Sequence, residues 1–365
     1  MMHQPHTIEA LAELVRTIDG PITPRGAGLH QQIGNPAKPN ATIIDCTQLN
    51  HVHDYIASDL TITVGAGISL GALQDLLREH NQWLPWDAPQ AHQASVAGLL
   101  ATGLSGPLRH GFGSPRDWLL GMRFVTGDGR IIKSGGKVVK NVAGYDLHKL
   151  HIGALGTLGI IAEVSFKVAP IPQADQSLCI VCKSLSEAHE LAYALRQRPF
   201  NPSAIMIDVT IDQVTLWARW LGVNGAVARQ LADARHKAPH AQVAEKGDWQ
   251  ALSQRPFSMP NSTQLRIGVA PQHLPQVYPM LTTHLPNAQF QVMPTVGLMR
   301  AYCQNAPDVM TLRRALVPLN GYVVVEIGDD ADRWGPAPAG FGMMQALKQS
   351  WDPAGKLNPG RYIVE

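Results

Sequence analysis

Apolar residues at Ile8, Leu11, Leu14 and Val15 recur at helical spacing behind Thr7, a residue suited to capping, and predict an opening helix over Thr7–Ile18. Short apolar and β-branched runs then alternate with turns, so Pro21–Pro24, Ala41–Asp45 and Leu60–Val64 are predicted as strands and Ser69–Glu79 as a second helix. Between Gly65 and Gly159 glycine and proline concentrate, and the β-rich runs Met122–Thr126 and Arg130–Lys133 flank Thr126-Gly-Asp-Gly129. An Asp-Gly pair between such runs marks a tight hairpin, which predicts an antiparallel meander rather than a repeated strand–helix parallel sheet. The strand Glu163–Val168 ends at Pro170-Ile-Pro172, where missing donors and a stiff backbone suit a domain boundary.

Beyond that boundary Leu178–Cys182, Ala204–Val209, Val214–Trp220, Gln264–Val269 and Tyr322–Ile327 read as strands, and Phe290–Met293 is strand-like. Helices are expected at Ser184–Arg196 with Ser186 as its cap, at Val223–Lys237 and at Pro307–Val317. A helix over Gly342–Ser350 precedes the turn-rich ending Trp351-Asp-Pro-Ala-Gly-Lys-Leu-Asn-Pro-Gly-Arg-Tyr362. The expected class is α+β, with a first domain over 1–170, a second α+β domain with an antiparallel sheet over 171–340, and a C-terminal segment, 341–365, that packs back on the first.

A chain of 365 residues suits two cores, since single cores stop growing near roughly 250 residues. Its 45% hydrophobic and 16% charged content describes a folding chain, and a net charge of +2 with the signs mixed offers no stripe for nucleic acid and no polybasic membrane patch. The start lacks the basic tip and unbroken apolar run of a secretion signal, and no apolar run approaches about 18 residues. A cytoplasmic location without direct membrane insertion is the default expectation, any membrane contact being made through a partner. The four cysteines, Cys46, Cys179, Cys182 and Cys303, are too few and scattered for a disulfide scaffold or an iron–sulfur cluster. Cys179 and Cys182 fall three apart in a strand, on opposite faces, and read as core thiols. His51 and His53 lack a third ligand at suitable spacing, so no metal site is expected.

Three glycine-rich tracts carry the chemistry. Pro24-Arg-Gly-Ala-Gly28 follows a strand, where small residues let backbone amides turn inward as an anion nest. Ser95-Val-Ala-Gly98 through Ala101-Thr-Gly103 to Ser105-Gly106 would let backbone approach a flat ring, and Gly153-Ala-Leu-Gly156-Thr-Leu-Gly159 turns sharply into a strand. No Rossmann fingerprint is present. Glycine spacing by itself does not identify the ligand.

Taken in order, these tracts are similar to the FAD-binding domain shared by vanillyl-alcohol oxidase and p-cresol methylhydroxylase, over Pro5 to Val168. The matching residues are Pro24-Arg-Gly-Ala-Gly28, Val64-Gly-Ala-Gly67, Leu84-Pro-Trp-Asp-Ala88, Ser95-Val-Ala-Gly98, Arg109-His-Gly111, Gly144-Tyr-Asp-Leu147 and Gly156-Thr-Leu-Gly-Ile-Ile161. With its Trp351-Asp-Pro to Asn358-Pro-Gly-Arg-Tyr ending, the chain most resembles the short, E-type FAD-binding subunits of bacterial glycolate oxidases. The resemblance implies a PCMH-type domain of two α+β subdomains with FAD between them, plus an α+β cap domain.

It further implies that Pro24, Arg25, Gly26, Ala27, Gly28 and Leu29 cradle the FAD pyrophosphate. Asp87, Ala88 and Pro89, Ser95, Val96, Ala97 and Gly98, and Thr102, Gly103, Ser105 and Gly106 would line the flavin with Gly111, while Ile160 and Ile161 touch it through backbone. Where some members attach flavin to a histidine this chain has Leu29, with His30 one place later, which implies non-covalent FAD. Ala97-Gly98 stands where the family has two glycines. The implied activity is oxidation of glycolate, a 2-hydroxy acid, to glyoxylate, with a larger homologous FAD subunit and an iron–sulfur subunit that takes the electrons.

That chemistry needs a base for the hydroxyl proton and a cation for the carboxylate. The chain lacks the His-Gly-Asp-Gly-Asn-x-x-His segment of the longer 2-hydroxy-acid oxidising members. Arg300, with Tyr302 close by, and Arg361 are candidates to hold a carboxylate, and His110 is a candidate base, with His148 and His151 also within the flavin-domain motifs. The alternative expectation is a non-catalytic FAD-bearing scaffold or electron relay whose homologous partner performs the oxidation.

Overall fold

In the computed structural model, which describes residues 2–137, 144–259, 262–329 and 332–363, the chain divides into two units. The first comprises Met1–Ser105, Gly113–Ile171 and Pro336–Glu365, the second Gly106–Phe112 and Pro172–Gly335.

In the first unit the strands are β1 (Met2–His3), β2 (Ile22–Arg25), β3 (Thr42–Asp45), β4 (Val52–Ile56), β5 (Thr61–Gly65), β6 (Gln82–Trp83), β7 (Leu119–Val125), β8 (Ile131–Gly135), β9 (Ile160–Lys167) and β10 (Ala169–Pro170). Helix α1 (Ile8–Thr17) forms as its stripe predicts, with Thr7 accepting from the Ala10 amide and Ile8, Leu11, Ala12 and Val15 buried. Those side chains share a core with Ile22, Ile44, Val125, Ile160 and Leu357. The three-stranded sheet β1-β3-β2 is parallel, which the turn-rich sequence does not announce. Ile22 also bridges in parallel to Leu357, so the C-terminal segment extends that sheet beside β2.

A second sheet, ordered β4-β5-β9-β7-β8, is antiparallel throughout. The hairpin at Thr126–Gly129 forms with Val125 opposite Ile131 and Gly129 at φ +79°, a conformation that glycine adopts without strain. Helix α2 (Leu70–Arg78) is capped by Ser69. The tract after Ser95 is itself a helix, α3 (Val96–Thr102): Ser95 accepts from the Gly98 amide and Gly103 ends it at φ +67°. The apolar pair Leu99 and Leu100 is buried and anchors it.

The second unit holds one antiparallel eight-stranded sheet of β11 (Ala174–Cys182), β12 (Ala204–Val209), β13 (Val214–Gly222), β14 (Gln242–Val243), β15 (Thr263–Gly268), β16 (Gln289–Met293), β17 (Leu298–Cys303) and β18 (Tyr322–Ile327). One face carries Leu265, Ile267, Met299, Ala301, Val323 and Val325 into a core with the helices Leu185–Arg196, Asn224–Lys237, Leu274–His284 and Val309–Leu316. By strand alternation the other face carries Asp208, Gln291, Arg300, Tyr302 and Glu326. Helix Lys246–Ser258 serves that polar face, its Leu252 carbonyl accepting from Gln291.

One expected cap is corrected. Ser184, not Ser186, caps Leu185–Arg196 by accepting from the Glu187 amide, because Ser186 already lies inside the first turn. Strand β17 holds Arg300 and Tyr302, which the sequence reading left outside a named strand. Cys182 is buried and Cys179 half-buried, and all four cysteines are free thiols. No helix among the described residues is long and apolar enough to cross a membrane.

Candidate functional site

The glycine tracts of the first unit converge on one cavity. Its first wall is the loop leaving β2: Pro24, Arg25, Gly26, Ala27, Gly28 and Leu29, with His30 and Gln31. Its second wall is α3, contributing Ser95, Ala97, Gly98 and Thr102 with Ala94 and Ala101. The third tract supplies Leu155, Gly156, Gly159, Ile160 and Ile161, and Cys46, Asn358 and Arg361 complete the lining.

Ser95 joins the first two walls. Its Oγ accepts from the Gly98 amide at 3.2 Å and stands 3.4 Å from the Ala27 amide. A Cβ on Gly26 would lie 1.9 Å from that oxygen, so glycine is required for this approach of loop to helix. Backbone bonds join the second and third walls, with Gly153 and Leu155 amides donating to Leu100 and Ala101 carbonyls at 2.9 and 2.8 Å. Gly156 sits at φ +69°, and a Cβ there would press on Pro24 at 3.1 Å. Beneath α3, the Val96 and Ala97 amides donate to Ile68 and Ala66, which ties the Val64-Gly-Ala-Gly67 turn to the site.

Charge in the wall is fixed by few groups. Arg25 pairs with Asp45 at 3.1 Å. Burial alone would raise the Asp45 carboxyl, but hydrogen bonds from Thr47, Gln4 and Arg25 hold it below the usual carboxylate range. His30 is drawn down to about 4 by burial, against a side-chain hydrogen bond with Gln90, and is neutral at pH 7. Burial, reinforced by the Asp45 charge, pushes the Cys46 thiol up to about 12, so this sulfur is not a nucleophile. Arg361 is buried and donates to the Gln31 and Ile33 carbonyls at 2.9 and 2.8 Å, bracing the segment after the first loop. A cavity lined largely by glycine and other small residues, with two arginines at its wall, suits a dinucleotide diphosphate.

The remaining sequence candidates lie elsewhere. Asp87 is half-buried while Ala88 and Pro89 are buried, in the turn after Trp86, whose ring nitrogen donates to Leu104. Val96 points into the core, and Gly103 and Ser105 follow α3 outside the lining. Gly106 and Gly111 belong to the second unit, where the Gly111 amide donates to the Ser203 carbonyl and a Cβ would lie 2.7 Å from it. His110, also in the second unit, bonds Thr295 at 2.6 Å, and burial followed by the nearby Arg196 charge lowers its pKa.

Arg300 and Tyr302 lie on the buried polar face of the eight-stranded sheet and are already engaged. Arg300 pairs with Glu326 at 3.0 Å, and the Tyr302 hydroxyl donates to Gln291 at 2.9 Å. Burial alone would raise the Glu326 carboxyl, but Arg300 and Arg266 hold it below the usual range. His148 and His151 are buried in the first unit. His148 bonds Ser134 at 3.1 Å, and His151 packs between Phe124 and Trp351.

Sequence reasoning missed His30, Gln31, Cys46, Ala94 and Asn358 as lining residues. His30 and Gln31 extend the first loop, Ala94 precedes the cap Ser95, and only Cys46 and Asn358 carry no local signal.

The FAD binding domain family matches residues 1–135. Glycolate oxidase subunit GlcE of Escherichia coli (strain K12) is 32% identical over 358 residues, covering 94% of this chain and 93% of that protein. D-2-hydroxyglutarate dehydrogenase of Xanthomonas citri pv. viticola is 29% identical over 195 residues, covering 53% of this chain and 41% of that protein. Glycolate oxidase subunit GlcD of Bacillus subtilis (strain 168) is 27% identical over 196 residues, covering 54% and 41%. The match thus spans about two-fifths of the length of each of these two longer relatives. Alkyldihydroxyacetonephosphate synthase shares the fold, with a TM-score of 0.72 at 18% identity over 99% of this chain and 77% of that one.

Fold, cavity and relatives together define an FAD-dependent oxidoreductase with a PCMH-type FAD-binding domain and an α+β partner domain. Within that class, the chain belongs to the family of FAD-binding glycolate oxidase subunits represented by GlcE.

Proposed function

We propose that this chain is the FAD-bearing subunit of a complex that oxidises glycolate to glyoxylate, passing electrons to an iron–sulfur subunit and assembling with a larger homologous flavin subunit. The observation that carries the reading is the likeness to GlcE along 93% of that protein, joined to a cavity built from three glycine tracts. Arg25 to Leu29 would hold the diphosphate, and Ser95, Ala97, Gly98 and Thr102 with Ile160 and Ile161 would line the cofactor, held without a covalent bond. Bound FAD supplies a two-electron acceptor. The chain's own residues enclose it and exclude water: Ser95 fixes loop against helix, and Arg361 fixes the loop's far end.

Oxidation of glycolate removes two electrons and two protons from the hydroxyl-bearing carbon and its oxygen. The cysteines are dispersed, Cys46 in the cavity wall, Cys179 and Cys182 on opposite faces of β11 and Cys303 in the second core. This dispersal supports an external cluster as electron acceptor. A cytoplasmic complex, meeting a membrane only through its partners, accords with this division of labour.

The second reading, a non-catalytic FAD scaffold or relay, is favoured by one specific arrangement. The cations expected to hold the substrate carboxylate are engaged, Arg300 with Glu326 and Arg361 with two backbone carbonyls. Anaerobic stopped-flow absorbance on the purified, FAD-loaded chain separates the readings. Rapid bleaching of the flavin by glycolate establishes catalysis by this chain. Bleaching only after the larger flavin subunit is added assigns the chemistry to the partner.

A further inference from the structure

Asn358 is tied into the C-terminal turn by both its backbone and its side chain. Its amide donates to the Ile22 carbonyl at 2.8 Å, the Ile22 amide donates to Lys356 at 2.7 Å, and Leu357 pairs with Ile22, the residue that opens β2. The side chain has one identified role: Nδ2 donates to the Leu155 carbonyl at 2.7 Å, holding the third glycine tract. Because that partner is a carbonyl, the orientation of the amide is determined, and Oδ1 must be the other atom. Asn358 is 6% exposed and lines the cavity, yet Oδ1 has no hydrogen-bond partner. A buried amide oxygen left without a donor is costly, because the desolvation of that group goes uncompensated. The residue also holds φ +43°, which asparagine tolerates better than most side chains.

We infer that Asn358 is a cofactor-binding residue, its Oδ1 accepting a hydrogen bond from an N–H or O–H group of FAD. The inference rests on this cavity being the FAD site. FAD offers ribityl and ribose hydroxyls, the adenine amine and the flavin N3–H, all donors that a carboxamide oxygen accepts. The C-terminal turn thereby does more than close the fold. It presents an acceptor to a cavity whose other walls are mainly backbone amides and small side chains.

The test uses apoprotein of the full chain, titrated with FAD by flavin fluorescence and followed by thermal unfolding with and without FAD. Asn358→Gly keeps the left-handed backbone open and removes both amide atoms. The expected result is an FAD Kd roughly 3- to 10-fold weaker, the worth of one neutral hydrogen bond, and a smaller FAD-induced rise in Tm. A purely structural Asn358 would instead lower the Tm of apoprotein and holoprotein alike and leave Kd within twofold, which overturns the inference.

Wild-type chain titrated with FAD analogues, each lacking one donor, gives a second reading that needs no stable variant. One analogue should bind several-fold more weakly to wild type and show no further loss on Asn358→Gly where that variant folds. Equal binding of every analogue to wild type overturns the inference. Gly26→Ala serves as the control for the cavity itself. If FAD binding survives that change undiminished, the site has been misplaced, whereas loss with Gly26→Ala and none with Asn358→Gly refutes only the role of Asn358.

Discussion

The hydroxyl of Ser95 lies 3.4 Å from the amide of Ala27 while capping α3 through Gly98 at 3.2 Å. One oxygen therefore sets the spacing between the loop after β2 and the helix opposite it. Gly26 is the residue that permits the approach, because a Cβ there would lie 1.9 Å from that oxygen and 2.9 Å from Ser95 Cβ. Gly26→Ala is expected to weaken FAD binding roughly 10- to 100-fold through overpacking. Adding Ser95→Gly removes both clashing atoms at a capping cost of only a few tenths of a kcal/mol. Flavin titration should then show the double variant binding more tightly than Gly26→Ala alone, and no recovery would refute this contact as the cause.

A second expectation concerns the clasp that holds the C-terminal segment. Lys348 Nζ pairs with Asp352 at 2.5 Å and donates to the Thr157 and Leu357 carbonyls at 2.9 and 3.1 Å, with both side chains buried. Asp352 in turn accepts from the Lys356 and Leu357 amides. Lys348→Met strands a buried carboxylate, a change that typically costs about 3–5 kcal/mol. Denaturant unfolding should show a loss of that order, accompanied by weaker FAD retention, since Thr157 and Leu357 flank cavity residues. A loss of unfolding free energy below about 1 kcal/mol would mean that water reaches the pair.

What the sequence made legible was local. The loop at Pro24–Gly28, the hairpin at Thr126–Gly129 and the stripe of α1 each depend on neighbours in the chain, and their residue types state their backbone needs. The cap of Leu185–Arg196 was misread by two places because Ser184 and Ser186 are chemically alike and only the amide of Glu187 distinguishes them. α3 was hidden because a glycine and two alanines masked the short stripe of Val96, Leu99 and Leu100. Asn358 and Cys46 entered the cavity through strand pairing, β2 with β3 and Ile22 with Leu357, and such non-local contacts leave no periodic signal. The same reason explains Arg300: alternation places it on the polar face, but nothing near it in sequence announces Glu326.

That pairing leads to a third expectation. Tyr302 donates to Gln291, and Gln291 donates in turn to Leu252 of helix Lys246–Ser258. Tyr302 thus supports the sheet's polar face, and burial pushes its phenol above the usual value. Tyr302→Phe should lower stability by about 1–2 kcal/mol, as expected when a buried acceptor loses its donor. Glycolate turnover by the assembled complex should remain within about threefold, less than the roughly 100-fold or greater loss that removal of an acid–base group brings. A steady-state assay showing the larger loss would return Tyr302 to the reaction.

The last expectation is a pH dependence with a determined sign. His151 is fully buried between the rings of Phe124 and Trp351, at 4.0 and 5.4 Å, and burial, aided by nearby His148, lowers it from its ordinary 6.5 to about 3. The folded chain keeps this ring neutral while the unfolded chain protonates it below 6.5. Between 6.5 and about 3 the unfolded state therefore holds the extra proton, so stability is full above that window and is lost as pH falls through it. At pH 5 the loss from this ring should be about 2 kcal/mol, at 1.36 kcal/mol for each pH unit below the ordinary value. His30, drawn down to about 4, adds in the same direction. His151→Leu removes one of these contributions whatever its packing cost, because each protein serves as its own reference. Tm values at pH 7.5 and pH 5.0 should therefore differ less in the variant than in the wild-type chain, and equal differences would show that His151 is already protonated or solvated in the native state.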